Sequence, residues 1–210
     1  MLGCYNKSVI LTYAGVALSL TGICGCLAGQ WDMAMICLIA AGICDLFDGM
    51  IARKCKRTDM EKQFGIQIDS LADVVSFLIF PAVMLLGGMG TKEMARVSFT
   101  ENPWNAAGLV LAILYVLAGI IRLAWFNIHT ATDVPARHYE GLPVTYAALI
   151  LPLFYVLWKI VLFPGYLWLP VYGILAFCFV WRVPMPKPTG IWYGVFAALA
   201  VLVTILIAVV

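Results

Sequence analysis

The sequence predicts an all-α, polytopic membrane helical bundle of about six to eight spans. Three observations predict it. The chain is 64% hydrophobic and only 11% charged, against about 45–50% and 25% for soluble globular domains. Apolar runs of about 20 residues, enough to cross a bilayer, recur along the whole length. Lys and Arg gather in alternate connecting segments, the asymmetry that sets orientation in a membrane. No polar stretch is long enough to fold alone, so residues 1–210 read as a single integral-membrane domain. The lipid bilayer is its expected surrounding, and no nucleic-acid partner is expected.

Met1 to Lys7 reads as a short cytosolic tail, since the apolar run behind it is as long as a true span and no cleavage site stands out. The first span is Val9 to Leu27, closed by the Gly29–Asp32 turn. The second is Met33 to Arg53, with Asp45 and Asp48 in its last third. A polar loop, Lys54 to Phe64, leads to the third span, Ile66 to Leu86, which carries Asp69 and Asp73 in its first third. Gly87 to Asn105 is Gly-rich and polar, hence a loop. The fourth span, Ala106 to Ile128, contains Arg122 and leads into the polar loop His129–Gly141. Leu142 to Leu162 is the fifth span, and Pro164-Gly165 is a tight turn. The short sixth span, Leu167 to Val183, ends at P-M-P-K-P, which forbids helix. Ile191 to Val210 is the seventh.

With the N-terminus inside, the inner segments hold Lys7, Arg53, Lys54, Lys56, Arg57, Lys62, Arg137, Arg182 and Lys187. The outer segments hold only Lys92, Arg96 and Lys159. The loop between spans two and three therefore faces the cytosol, and the four aspartates lie near that surface. Seven cysteines, an odd number mostly within apolar segments and with no metal-ligand spacing, argue against a disulfide framework. His129 and His138 likewise show no metal spacing, and Trp104, Trp125, Trp158, Trp168 and Trp192 near span ends read as interfacial anchors.

Carboxylates at membrane depth are expensive and mark function by default. On a helix Asp45, Asp48, Gly49 and Ala52 share one face, two acids beside two residues with almost no side chain. Gly65, Asp69, Ala72, Asp73 and Ser76 make the matching stripe on the next, antiparallel span. Four carboxylates at one depth cannot all stay ionised without compensation, which one or two divalent cations would supply. Oxygen-only ligands suit Mg²⁺, Mn²⁺ or Ca²⁺ and disfavour zinc and copper. Metal plus Arg53 is equipment for holding a diphosphate.

Asp45, Asp48, Gly49, Ala52 and Arg53, followed by Gly65, Asp69 and Asp73, resemble the signature of the CDP-alcohol phosphotransferase family. The Arg53–Gly65 interval is longer than the family's usual one, so its loop contacts are not carried over. R-L-A-W-F-N (Arg122 to Asn127), E-G-L-P-V-T (Glu140 to Thr145) and D-S-L-A-D-V-V-S-F (Asp69 to Phe77) are similar to segments of its phosphatidylserine synthase branch, with Trp125 in place of a usual Arg. The resemblance covers roughly the first two thirds of the chain; the last two spans match only in being apolar.

The resemblance implies a homodimeric transferase moving the phosphatidyl group of CDP-diacylglycerol to L-serine, with CMP leaving. It implies two divalent cations, Mg²⁺ or Mn²⁺ with Ca²⁺ as a third candidate, on Asp45, Asp48, Asp69 and Asp73, and Asp73 as the general base. Gly49 and Ala52 would lie against the cytidine and Arg53 would hold phosphate, with Gly65 and Asn6 also at the CDP-lipid. Arg122, Asn127 and Glu140 are the candidate acceptor-binding residues. Rival readings are another acceptor within the family (glycerol 3-phosphate or an inositol compound), a membrane prenyltransferase, and a divalent-cation transporter. Gly49, Ala52 and Arg53 in register favour a nucleotide over a bare prenyl chain, and a transporter would place its acids at mid-bilayer.

Overall fold

The computed structural model describes residues 9–54, 58–88, 103–130, 138–182, 184–186 and 191–210. Helix α1 (Ile10–Leu27) is apolar all round, but the stripe it buries is small and polar: Thr12, Gly15, Ser19, Gly22, Gly25 and Cys26. Residues of this size let backbones approach closely, which is how helices associate where surrounding lipid is as apolar as they are. α1 accordingly makes its most extensive contact with α2 (Trp31–Lys54). A Cβ on Gly22 would run into Phe80 and meet the Cβ of Cys37 at 2.9 Å. Gly29, at φ +71°, ends α1 with a left-handed turn, and Gln30 N–H donates to the Gly25 carbonyl at 2.8 Å.

The third span is one continuous helical rod, Asp59–Leu86, of three parts. These are α3 (Asp59–Asp73), a π-helical turn (Val74–Ile79) and α4 (Phe80–Leu86). Pro81 explains the π-turn. It has no N–H for the Phe77 carbonyl four residues back, and its ring crowds that carbonyl. The helix widens, the Phe80 N–H reaches back to Val75, and the Tyr115 hydroxyl donates to the Phe77 carbonyl at 2.7 Å.

The sequence reading placed a loop over Lys54–Phe64; the structure corrects it. Lys54 still belongs to α2, and Asp59–Phe64 already belong to α3. The missed signal is a capping box, Thr58-x-x-Glu61. The Glu61 N–H donates to Thr58 Oγ1 at 3.3 Å, and Glu61 Oε2 accepts from the Thr58 N–H at 2.8 Å.

Helix α5 (Pro103–Thr130) packs chiefly on α7 (Trp168–Val180) and lies close to the π-turn at Gly119, where a Cβ would strike Leu78. Helix α6 (Ala147–Val161) follows a 3-10 turn (Val144–Tyr146) and crosses α2 tightly, a Cβ on Gly42 falling 2.7 Å from that of Ala148. α8 (Ile191–Val209) lies against α2 and α6. Two three-residue strands, β1 (His138–Glu140) and β2 (Pro184–Pro186), pair antiparallel with Tyr139 opposite Met185. They fall in segments read as loop, and prolines at both ends of β2 confine such pairing to a short ribbon.

Five of the described helices are long and apolar enough to cross a membrane, and Gly165–Val180 and Gly194–Val209 are shorter apolar helices. Together they occupy the seven spans expected. The chain is an integral membrane protein. Its core is centred on Phe77, Phe80, Tyr115, Trp168, Tyr172 and Phe179, all essentially solvent-free. Cys24, Cys26, Cys37, Cys44 and Cys178 are free thiols. Parts of the Gly87–Asn105 and His129–Gly141 loops, with Cys4 and Cys55, lie outside the described residues.

Candidate metal and substrate site

One face of α2 builds the site. Ile39, Gly42, Ile43, Leu46 and Gly49 recur at helical spacing and line a cavity of about 270 Å³. Over that stretch of about 15 Å the wall changes from aliphatic to acidic, because Asp45 and Asp48 join it at the end nearest Gly49. α3 faces it with Asp69 and Asp73, and α5 supplies Arg122 and Phe126. Pro143, Thr145, Tyr146, Ala148 and Leu149 come from the start of the fifth span, and Phe196 and Ala200 from α8.

One carboxylate oxygen from each of Asp45, Asp48 and Asp69 lies within 4.8 Å of the other two. Asp73 is buried and lines the same cavity, close to Asp45. Asp48 is also buried, and its Oδ2 accepts a 2.7 Å hydrogen bond from the Thr12 hydroxyl of α1. Arg122 is buried, near enough to Asp45 and Asp73 to interact electrostatically, with its guanidinium 5.2 Å from the centre of the Phe126 ring. Convergent donors that are all carboxylate oxygens fit a hard divalent cation. Opposite them, a guanidinium and aromatic rings suit an anionic group that bridges cation and arginine.

Gly49 borders this space, and a Cβ placed there would meet nothing within 4 Å. Ala52 and Gly65 are half-buried and are not among the residues lining the cavity. Asn127 is tied to α3, its Nδ2 donating to Ser70 Oγ at 2.8 Å, beside Asp69 rather than in the cavity wall. Asn6 and the side chains of Arg53 and Glu140 lie outside the described residues.

Sequence reasoning missed Thr12, Thr145, Tyr146, Phe196 and Ala200. Thr12 shares a small, polar stripe with Gly15 and Ser19, but the span carries other hydroxyls, at Tyr13 and Thr21, and nothing in the sequence singles Thr12 out. The ring of Phe196 stands edge-on to that of Tyr146, their centroids 5.4 Å apart, and closes the cavity from α8. An apolar wall residue on an apolar helix has no pattern to mark it.

The family model for CDP-alcohol phosphatidyltransferases matches residues 5–206. The chain belongs to this family. CDP-alcohol phosphatidyltransferases depend in general on divalent cations, and the acidic cluster is a place where this member could hold one. The chain is 34% identical over 127 residues to archaetidylserine synthase of Methanothermobacter thermautotrophicus, covering 60% of this chain and 48% of that protein. It is 32% identical over 144 residues to CDP-diacylglycerol–serine O-phosphatidyltransferase of Helicobacter pylori, 69% of this chain and 54% of that one. The Saccharomyces cerevisiae protein of the same name is 33% identical over 136 residues, 60% and 42%. The chain thus spans about half the length of the relatives it matches.

Proposed function

We propose that this chain transfers the phosphatidyl group of CDP-diacylglycerol to the hydroxyl of L-serine, giving phosphatidylserine and CMP. The observation that carries the reading is the convergence of Asp45, Asp48 and Asp69 opposite Arg122 in one cavity, within a family whose matched relatives are named for serine products. Asp45, Asp48 and Asp69 would hold two divalent cations, Mg²⁺ or Mn²⁺ before Ca²⁺, with Asp73 of the same cavity as a further ligand. When bound, the cations neutralise the diphosphate and stabilise CMP as leaving group.

The chain's own residues do the rest. Gly49 leaves room for the nucleotide against α2, and Arg53, Gly65, Ala52 and Asn6 belong to the same CDP-lipid site. Arg122 orients the acceptor through its carboxylate, with Asn127 and Glu140 assigned to the same role from the sequence. A serine hydroxyl is a weak nucleophile, so a positioned base is needed. Asp73 takes its proton as the oxygen attacks the phosphorus bearing the diacylglycerol, and the bond to the CMP oxygen breaks. The displacement is direct. The protein works as a homodimer of single-domain chains, with the site open to the cytosol, where serine and CMP are.

The test is an acceptor screen with purified protein, CDP-diacylglycerol and Mn²⁺ or Mg²⁺, following CMP. Serine is expected to drive release. Release driven by glycerol 3-phosphate or an inositol compound and not by serine would overturn the acceptor.

A further inference from the structure

Hydroxyls on helices usually give their one proton to the backbone carbonyl a turn behind. Among the described residues, Thr21 does so to the Ala17 carbonyl at 2.9 Å and Thr204 to the Ala200 carbonyl at 2.8 Å. Thr12 does not. It spends its proton across a helix interface, on Oδ2 of Asp48 at 2.7 Å, where both residues are buried.

We propose that Thr12 is a positioning residue for the metal site. It fixes the carboxylate plane of Asp48 so that the second oxygen and the remaining lone pairs are presented to a cation shared with Asp45 and Asp69. This rests on the metal reading above. Three features make the hold rigid. Thr is β-branched, with few rotamers open to it in a helix. The α1 stripe seats it closely, the position for a Cβ on Gly15, one turn along, lying 3.5 Å from the Cβ of Cys44. Farther along the same stripe, the Ser19 hydroxyl, 2.9 Å from the Gly15 carbonyl, is hydrogen-bonded to the Ser76 hydroxyl of the π-turn at 2.8 Å, so α1 is tied to both acid-bearing spans. The outer partners of metal ligands hold those ligands in the orientation a metal needs, and losing one typically lowers metal affinity or activity about 10–100-fold.

The experiment titrates the purified protein with Mn²⁺ alone, without lipid or serine, counting bound ion by electron paramagnetic resonance. Thr12→Val and Thr12→Ala are expected to weaken Mn²⁺ binding about 10-fold or more, and Thr12→Ser, which keeps the hydroxyl and loses only the β-branch, to bind more tightly than either. Should Thr12→Val not fold, Thr12→Ala gives the same reading with a side chain too small to overpack the α1–α2 contact. Wild-type Mn²⁺ affinity in the variants lacking the hydroxyl would overturn the proposal, as would a Thr12→Ser protein as weak as Thr12→Ala. Wild-type protein that takes up no Mn²⁺ would remove the metal reading and this proposal with it. A failure of serine as acceptor leaves the Mn²⁺ titration untouched, so the two ideas fail separately.

Discussion

At the scale of single residues, the site separates groups that hold from groups that leave space. Gly49 is the clearest of the second kind, on a helix, beside two acids, with nothing in reach of an added Cβ. Exchanging a helical Gly for Ala usually stabilises by roughly 0.5–1 kcal/mol, so Gly49→Ala should melt no lower than wild type. If the donor lies against Gly49 as proposed, the new methyl should nonetheless raise KM for CDP-diacylglycerol. Unchanged KM in steady-state assays would remove Gly49 from the donor site. Asp73→Asn should lower CMP release about 10²–10⁴-fold, the usual contribution of a positioned base, and full activity would show that Asp73 is not the base. The acids and Gly49 were legible because carboxylates in apolar spans are costly and their helical register is fixed by sequence. Thr12 was not, because its meaning depends on where α1 docks, and only the packed helices put its hydroxyl against Asp48.

At the scale of elements, the seven spans and their order were legible from hydropathy, while irregularities within and between spans were not. The start of α3 was missed although Thr58-x-x-Glu61 is a recognisable cap, since the polar residues around it outweighed the pattern. The π-turn was illegible for another reason: Pro81 alone does not say whether a helix kinks, breaks or widens. Widening is stable here because Tyr115, from a different span, takes over the Phe77 carbonyl. Tyr115→Phe should therefore leave a buried carbonyl unsatisfied and cost about 1–3 kcal/mol, read as a lower melting temperature of the purified protein. Pro81→Ala restores an N–H that can serve the same carbonyl, so the loss caused by Tyr115→Phe should shrink in that background. Equal losses in both backgrounds would show that the tyrosine hydroxyl is not the proline's substitute.

At the scale of the whole molecule, the two ends of the bundle differ in kind. Away from the site, Asp32 Oδ1 at the start of α2 accepts from the Tyr155 hydroxyl at 2.7 Å and from Lys159 Nζ at 3.1 Å. Lys159 also reaches the Ile207 carbonyl at 3.4 Å, so α2, α6 and α8 are clamped together there. At the other end the same three helices part around the cavity, with Phe196 of α8 against Tyr146 as the wall. Helix direction puts that open end on the side of Arg53, Lys54, Lys62 and Arg182, where basic residues are concentrated, and leaves Lys159 on the sparse side. On the proposed orientation, in which segments rich in Lys and Arg stay in the cytosol, a water-soluble acceptor reaches the site from that side. Inverted membrane vesicles carrying this chain should incorporate labelled serine into lipid when it is added outside, together with CDP-diacylglycerol and Mn²⁺. Sealed right-side-out vesicles should do so only after permeabilisation. Full incorporation by the sealed right-side-out vesicles would place the open end on the outer surface and reverse the orientation read from the charges.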